Sequence, residues 1–255
     1  MQQIPIEKVL DPDAYGVIRR WAGGLCWRVR AALARPELEA ILRDPEGLLA
    51  SGIPLLKDDH AACVGAAYGY VIKRTNRRKL LKLLVGIFRR SRGRQAFLRA
   101  MALERDSIPT ARPVATADRL FLGFPVLTYL ITEEIPSAVH LGKWRGDKRA
   151  TIQSVSRLIA QLHEAGYRHG DLKETNILFD GGGGPHLIDL DAVRYFPMGL
   201  PAFLAAKDVA RLWRIRQRTK RYSKTDAIRF LRIYAQARGF SDLRWWWRKI
   251  TRVRQ

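Results

Sequence analysis

The stretch Tyr167-Arg168-His169-Gly170-Asp171-Leu172-Lys173-Glu174-Thr175-Asn176-Ile177-Leu178-Phe179-Asp180 decides how this chain is read. Four glycines follow, Gly181 to Gly184, then Pro185, His186 and the run Leu187-Ile188-Asp189-Leu190-Asp191. One short loop thus carries His169, Asp171, Lys173 and Asn176, and an acidic pair, Asp189 and Asp191, closes an apolar strand. The glycine turn joins two predicted strands, 177–179 and 186–188, so a hairpin presents both acidic groups at one edge. Phosphoryl transfer from a metal-bound nucleotide needs such a set. One carboxylate orients the acceptor hydroxyl and takes its proton, and a lysine neutralises the migrating group. An amide oxygen and a second carboxylate hold Mg²⁺ on the phosphates. A plain polar loop would explain Asp171 as a turn residue and Asn176 as a cap. It would not explain all of these residues in this order.

At 255 residues with 47% hydrophobic content, the chain is long and apolar enough for one domain or two packed lobes, and disorder is excluded. The formal net charge of +22 calls for an anionic partner and argues against a cationic substrate. The two cysteines, Cys26 and Cys63, form no C-x-x-C pair and no zinc cluster, and read as buried small hydrophobes in a reducing compartment. The N-terminus lacks an apolar signal core, and the longest apolar run, 120–131, is too short to span a bilayer. The expectation is a cytoplasmic protein whose membrane contact, if any, is peripheral.

Residues 1–51 read as a helical extension, with helices over 14–33 and 36–42. Residues 52–134 read as a small sheet unit. In it, 61–67 and 68–73 are strands, and Gly65 and Gly69 are small enough to let backbone approach phosphates. Lys73 ends the β-branched strand Tyr70-Val71-Ile72-Lys73. Residues 74–94 form a basic amphipathic segment that suits either anionic lipid or packing on its own unit. A helix over 94–105 offers Glu104 as an acidic partner for Lys73, although Arg99 lies nearer the expected place. Strands over 119–124 and 126–132 lead to Glu133, Glu134 and Ile135, whose backbone is placed to meet an adenine.

Residues 135–255 read as a helical unit. It holds an amphipathic helix over 148–166, the loop described above, and a helix from 205 whose Asp208 is placed to brace that loop. The basic tail ends in Arg244-Trp245-Trp246-Trp247-Arg248-Lys249. Tryptophans beside arginines suit a membrane interface, stacking on nucleic acid, or capping of the unit's own core.

Taken in order, Lys73, a helix, a hinge, the H-x-D-x-K-x-x-N loop, Ile-Asp-Leu-Asp and Lys-Asp-x-Ala-Arg-Leu resemble the bacterial lipopolysaccharide kinases of the Kdo/WaaP type. These are a branch of the protein-kinase-like superfamily. The resemblance covers about residues 52–235. It implies an α+β, bilobal protein-kinase-like fold, with a small antiparallel-sheet lobe and a helical lobe. It implies ATP and Mg²⁺ as cofactors, and an acceptor hydroxyl on heptose or Kdo of the lipopolysaccharide inner core. On it, Asp171 is the catalytic base, Lys173 steadies the γ-phosphate, and His169 supports the loop. Lys73 grips the α and β phosphates, while Asn176 and Asp189 ligate the metal. Asp191 stands where the superfamily has glycine. The partners implied are an anionic glycolipid and the inner face of the cytoplasmic membrane, rather than nucleic acid. The competing readings are a compact Ser/Thr protein kinase, an aminoglycoside-type kinase, which the charge opposes, and an inactive kinase fold serving as a binding module.

Overall fold

The computed structural model describes residues 10–60, 62–76, 91–121, 124–215, 219 and 221–252. The chain forms two compact units, one built from Val9–Met101 and Ala111–Glu134, the other from Ala102–Thr110 and Ile135 onward.

The first unit is a seven-stranded antiparallel sheet. Its strands are β1 (Val17–Ala22), β2 (Leu25–Arg30), β3 (Leu55–Asp58), β4 (Ala62–Ala67), β5 (Tyr70–Asn76), β6 (Pro113–Phe121) and β7 (Phe124–Glu133), in the order β1-β2-β6-β7-β5-β4-β3. The helix expected over 14–33 is therefore a β-hairpin. Gly23 and Gly24, at φ 55° and 70°, make the two-residue turn, and Trp21 faces Cys26 in register. Along β2, Leu25, Trp27 and Val29 are buried while the residues between them are not. That period of two favours a strand. Because Val29 pairs with Ala115 of β6, the expected extension is part of the sheet. Among the described residues of this stretch, α-helix is confined to α1 (Leu38–Arg43) and α2 (Pro45–Ala50), with 3₁₀ turns at Asp13–Tyr15 and Ala31–Leu33. Asp44 caps α2 by accepting the Gly47 N–H at 2.8 Å, and Pro45 opens it.

Those two short helices give the sheet a covered face. Trp27, Ile41, Leu42, Tyr70, Ile72, Tyr129 and Ile131 form its core. Glu46 of α2 closes it, accepting from Arg74 and from the Tyr129 hydroxyl, both at 2.5 Å. Strand alternation puts Ile72 on this face and Lys73 on the opposite one. The helix α3 (Arg92–Arg105) begins against Thr116, Thr128 and Tyr129, where a side chain at Gly93 would meet all three. The stretch 77–90, most of the expected basic segment, lies outside the described residues.

The second unit is mainly helical. Its elements are β8 (Val139–His140), α4 (Lys148–Glu164), β9 (Tyr167–Arg168), β10 (Ile177–Phe179), β11 (Pro185–Leu187), β12 (Arg194–Tyr195), α5 (Ala202–Trp213), α6 (Lys224–Ala237) and α7 (Leu243–Arg252). Asp147 caps α4 through the Ala150 N–H at 2.8 Å. Ile152, Val155, Leu158, Ile159 and Leu162 form its buried face. The helix gives way to Gly166, at φ +84°, where a β-carbon would lie 2.5 Å from the Phe196 carbonyl. A capping box of Ser223 and Asp226 starts α6.

The three tryptophans of α7 divide. Trp246 is 3% exposed and packs on Tyr234 and Phe240 at centroid distances of 5.2 and 5.3 Å, so it caps the core. Trp245 and Trp247 are half-buried. Among the described residues no helix is long and apolar enough to cross a membrane.

Candidate active site

The loop between β9 and β10 is fixed from below by Asp208 of α5. This carboxylate is 1% exposed. It accepts the His169 N–H at 2.7 Å and the Gly170 N–H at 3.1 Å. Arg168 Nε and His163 Nε2 stand 3.5 and 3.6 Å from it. Burial alone would raise its pKa, but His163, His169 and the Gly170 N–H outweigh that and hold it below the usual carboxylate range. The sequence placed Asp208 as a brace, and its contacts are those of a brace.

His169 is fully buried, and burial pushes its pKa down, so the ring is neutral. The Asp171 N–H points at Nδ1 at 3.4 Å, and Nε2 lies 3.2 Å from the Ile188 carbonyl. A proton on Nε2 satisfies both contacts. The ring thus links the loop to the strand end before Asp189. Gly170, at φ +79°, allows the backbone to pass Ala192, whose carbonyl would lie 2.7 Å from a β-carbon there.

Asp171 is the focus of the loop. Its Oδ2 accepts Lys173 Nζ at 2.8 Å and Asn176 Nδ2 at 3.3 Å, and its Oδ1 lies 3.3 Å from Arg211 Nη1. Asn176 is 4% exposed, on the 3₁₀ turn Glu174–Asn176, and donates to the Asp171 carbonyl at 2.9 Å. The Ile188 N–H returns to the Asn176 carbonyl at 3.0 Å. Asn176 and Asp189 are thereby tied through one intervening residue. Asp189 has φ +58°, a left-handed conformation that costs a non-glycine residue roughly 1–2 kcal/mol. Asp191 lies in the following 3₁₀ turn, Leu190–Ala192.

The four-glycine turn is organised by Asp180. Its carboxylate accepts the Gly182 and Gly184 N–H groups at 2.9 and 2.8 Å and pairs with His186 Nε2 at 2.9 Å. Those contacts, the His186 bond foremost, hold Asp180 below its usual pKa. Thr110 fastens the neighbouring strand, donating to the Leu187 carbonyl at 2.7 Å.

In the sheet unit, Lys73 sits mid-strand between Val64 and Leu130. Gly65, expected beneath phosphates, pairs with Ile72 and so lies on the face opposite Lys73. A β-carbon there would come within 2.6 Å of Ile53 and 2.9 Å of Leu49, so core packing is what requires glycine. Gly69, at φ +73°, turns the β4–β5 hairpin, and its carbonyl accepts the Glu134 N–H at 2.9 Å. The Glu133 N–H goes to the Arg112 carbonyl, and the Glu133 carboxylate pairs with Arg112 at 3.1 Å. Both N–H groups are therefore engaged within the sheet unit. The sequence did not single out Arg211. The signal was present as a cation one helical turn beyond Asp208, on the same face of α5.

The comparisons with known proteins agree with this geometry. A model of the lipopolysaccharide kinase (Kdo/WaaP) family matches residues 69–234. Over 104 residues the chain is 35% identical to a 3-deoxy-D-manno-octulosonic acid kinase of Stenotrophomonas maltophilia (strain K279a), covering 40% of this chain and 41% of that protein. The same identity and coverage hold for the enzyme of that name from Xanthomonas campestris pv. campestris (strain B100). The match spans less than half the length of these relatives. Among solved structures, WaaP in complex with acyl carrier protein superposes with a TM-score of 0.56 at 21% identity, over 84% of this chain and 94% of that one. At that identity the likeness concerns the fold, which is the bilobal α+β kinase-like arrangement expected from the sequence.

Proposed function

Because the chain belongs to the lipopolysaccharide kinase (Kdo/WaaP) family, we propose that it transfers the γ-phosphate of ATP to a sugar hydroxyl of the lipopolysaccharide inner core. The observation that carries this reading is the arrangement at Asp171. A half-exposed carboxylate is held by Lys173 and Asn176 on a loop whose backbone is anchored by buried Asp208.

In this proposal Asp171 orients the acceptor hydroxyl and takes its proton, since it is the exposed acceptor oxygen pair of the loop. Lys173, 2.8 Å away, turns to the migrating phosphoryl group as it leaves the nucleotide. His169, neutral and buried, keeps the loop in place and exchanges no proton with substrate. Lys73, on its face of the sheet unit, binds the α and β phosphates, and the Ile135 backbone is the adenine contact. Gly69 contributes by shaping the β4–β5 turn, and Gly65 drops out of the nucleotide site.

Mg²⁺ keeps several waters and takes one or two protein oxygens plus phosphate oxygens. The Asn176 amide and the strained Asp189 carboxylate, tied through Ile188, fit that modest demand. A metal held by Asn176 and Asp189 would neutralise phosphate charge there. The names of the relatives favour Kdo over heptose as the acceptor sugar. The +22 charge fits a glycolipid carrying acidic sugars, and supports contact with an anionic membrane face.

The test is label transfer from γ-labelled ATP with Mg²⁺ to dephosphorylated lipopolysaccharide core. Label in the glycolipid supports the proposal. Label in protein alone would move the assignment to a protein kinase.

A further inference from the structure

Arg211 stands beside Asp171, its Nη1 3.3 Å from Oδ1, and has no role in the assignments above. It projects from the last turn of α5, its side chain 44% exposed. Its Nη1 donates to the Gly170 carbonyl at 2.5 Å and lies 3.3 Å from Asp171 Oδ1. Both contacts use one nitrogen. The Nη2–Nε edge of the guanidinium, which pairs side-on with a carboxylate, is not engaged by them.

The charges at this point do not balance. One carboxylate, Asp171, serves two cations, Lys173 on Oδ2 and Arg211 on Oδ1. Phosphoryl transfer supplies an anion for Lys173, namely the migrating group. It also requires Asp171 to release one oxygen to the acceptor hydroxyl. Arg211 is then free to pair with an anion beside that hydroxyl, and the acceptor can bring it. An acid sugar carries a carboxylate on the same ring as its hydroxyls.

We propose that Arg211 is the anchor for the acceptor's carboxylate, a subsite that selects acid sugars and orients their hydroxyl on Asp171. This rests on the sugar-kinase reading of the same site and adds to it the residue that reads the acceptor's carboxylate. In the free protein Arg211 rests on Asp171. When acceptor arrives, the guanidinium keeps the Gly170 carbonyl through Nη1 and takes the substrate carboxylate on its free edge. Oδ1 is released in the same movement. No bond is made or broken in this step, and the proton of the acceptor hydroxyl goes to Asp171 as before.

The test compares two acceptors, a lipid-linked Kdo sugar and its carboxyl methyl ester, with wild-type protein and the Arg211→Gln and Arg211→Lys variants. A charge-assisted contact of this kind predicts that Arg211→Gln raises the KM for the acid acceptor about 10- to 100-fold, with the KM for ATP within about twofold. Esterification should cost wild type a similar factor and cost Arg211→Gln little more. Arg211→Lys should recover part of the loss on the acid and nothing on the ester. Equal losses on acid and ester would overturn the subsite and make Arg211 a positioning residue acting through Gly170. A fall in kcat at unchanged acceptor KM would overturn it too. Thermal melting of each variant separates misfolding from lost recognition. No transfer to either acceptor by wild type would overturn the sugar-kinase reading itself, and this inference with it.

Discussion

Replacing Asp208 with alanine removes the one carboxylate to which two consecutive amides of the Asp171 loop are tied. The side chain is 1% exposed, so water does not take its place at no cost. Its loss orphans the His169 N–H, now bonded at 2.7 Å, and the Gly170 N–H, now bonded at 3.1 Å. Each buried donor left unpaired costs about 1–3 kcal/mol. Arg168 also loses its counter-charge at 3.5 Å, and the uncharged His163 ring loses a polar neighbour at 3.6 Å. Breaking one side of a buried ionic arrangement costs roughly 3–5 kcal/mol, and this overlaps with the amide cost. The expected sum is about 3–6 kcal/mol, a large share of a typical stability of roughly 5–15 kcal/mol. For a chain of this size that corresponds to a fall in melting temperature of about 10–20 °C. Asp208→Asn keeps one acceptor oxygen and should lose clearly less. The assay is urea unfolding of wild type and both variants, with amide hydrogen exchange read at His169 and Gly170. A loss below about 1 kcal/mol for Asp208→Ala, with exchange at those amides unchanged, would refute the bracing argument.

Three further outcomes follow from the same contacts. His163 and His169 are buried with pKa values pushed below 6.5, so the unfolded chain binds protons that the folded chain refuses. Stability should therefore fall as pH drops below about 6.5 towards those lowered values, by at most about 1.4 kcal/mol per pH unit for each ring. Urea midpoints between pH 7.5 and 5.5 measure this, and His163→Gln should flatten the slope. An unchanged slope would contradict it. Gly170→Ala forces a side chain into left-handed backbone and against the Ala192 carbonyl, whereas Gly199→Ala, at φ +87°, meets nothing within 4 Å. Gly170→Ala should cost more than the roughly 1–2 kcal/mol of left-handed strain that Gly199→Ala shows, and equal melting temperatures would contradict the close approach. Trp246→Ala should cost about 3–5 kcal/mol as a large buried ring is lost. Trp245→Ala should cost far less and instead weaken binding to anionic vesicles. Equal stability losses would show that both rings serve the core.

The Asp171 loop was legible in the sequence because its chemistry is local. Asp171, Lys173 and Asn176 fall within six residues, and the 3₁₀ turn Glu174–Asn176 folds Asn176 back onto the Asp171 carbonyl. The glycine turn and its two strands were legible for the same reason. The β1–β2 hairpin was missed although Gly23-Gly24 and the period of two along Leu25-Cys26-Trp27-Arg28-Val29 are strand signals. Basic residues interleaved with apolar ones suggested a helix, and only the pairing of β2 with β6 exposes the alternation as a buried face. Gly65 was misplaced because glycine permits close approach of any group. Strand parity with Ile72 shows that the approaching group is Ile53 of the unit itself. Arg211 was passed over because its meaning depends on a contact across 40 residues, from α5 to the loop.

The account turns on Asp171 as the group that takes the acceptor's proton. Transfer of label from γ-labelled ATP to a lipid-linked Kdo acceptor, compared between wild type and Asp171→Asn with nucleotide binding measured in parallel, tests it most directly. The expected result is a loss of transfer of at least about a hundredfold, with nucleotide affinity and melting temperature little changed. Transfer by Asp171→Asn at close to the wild-type rate would contradict the account.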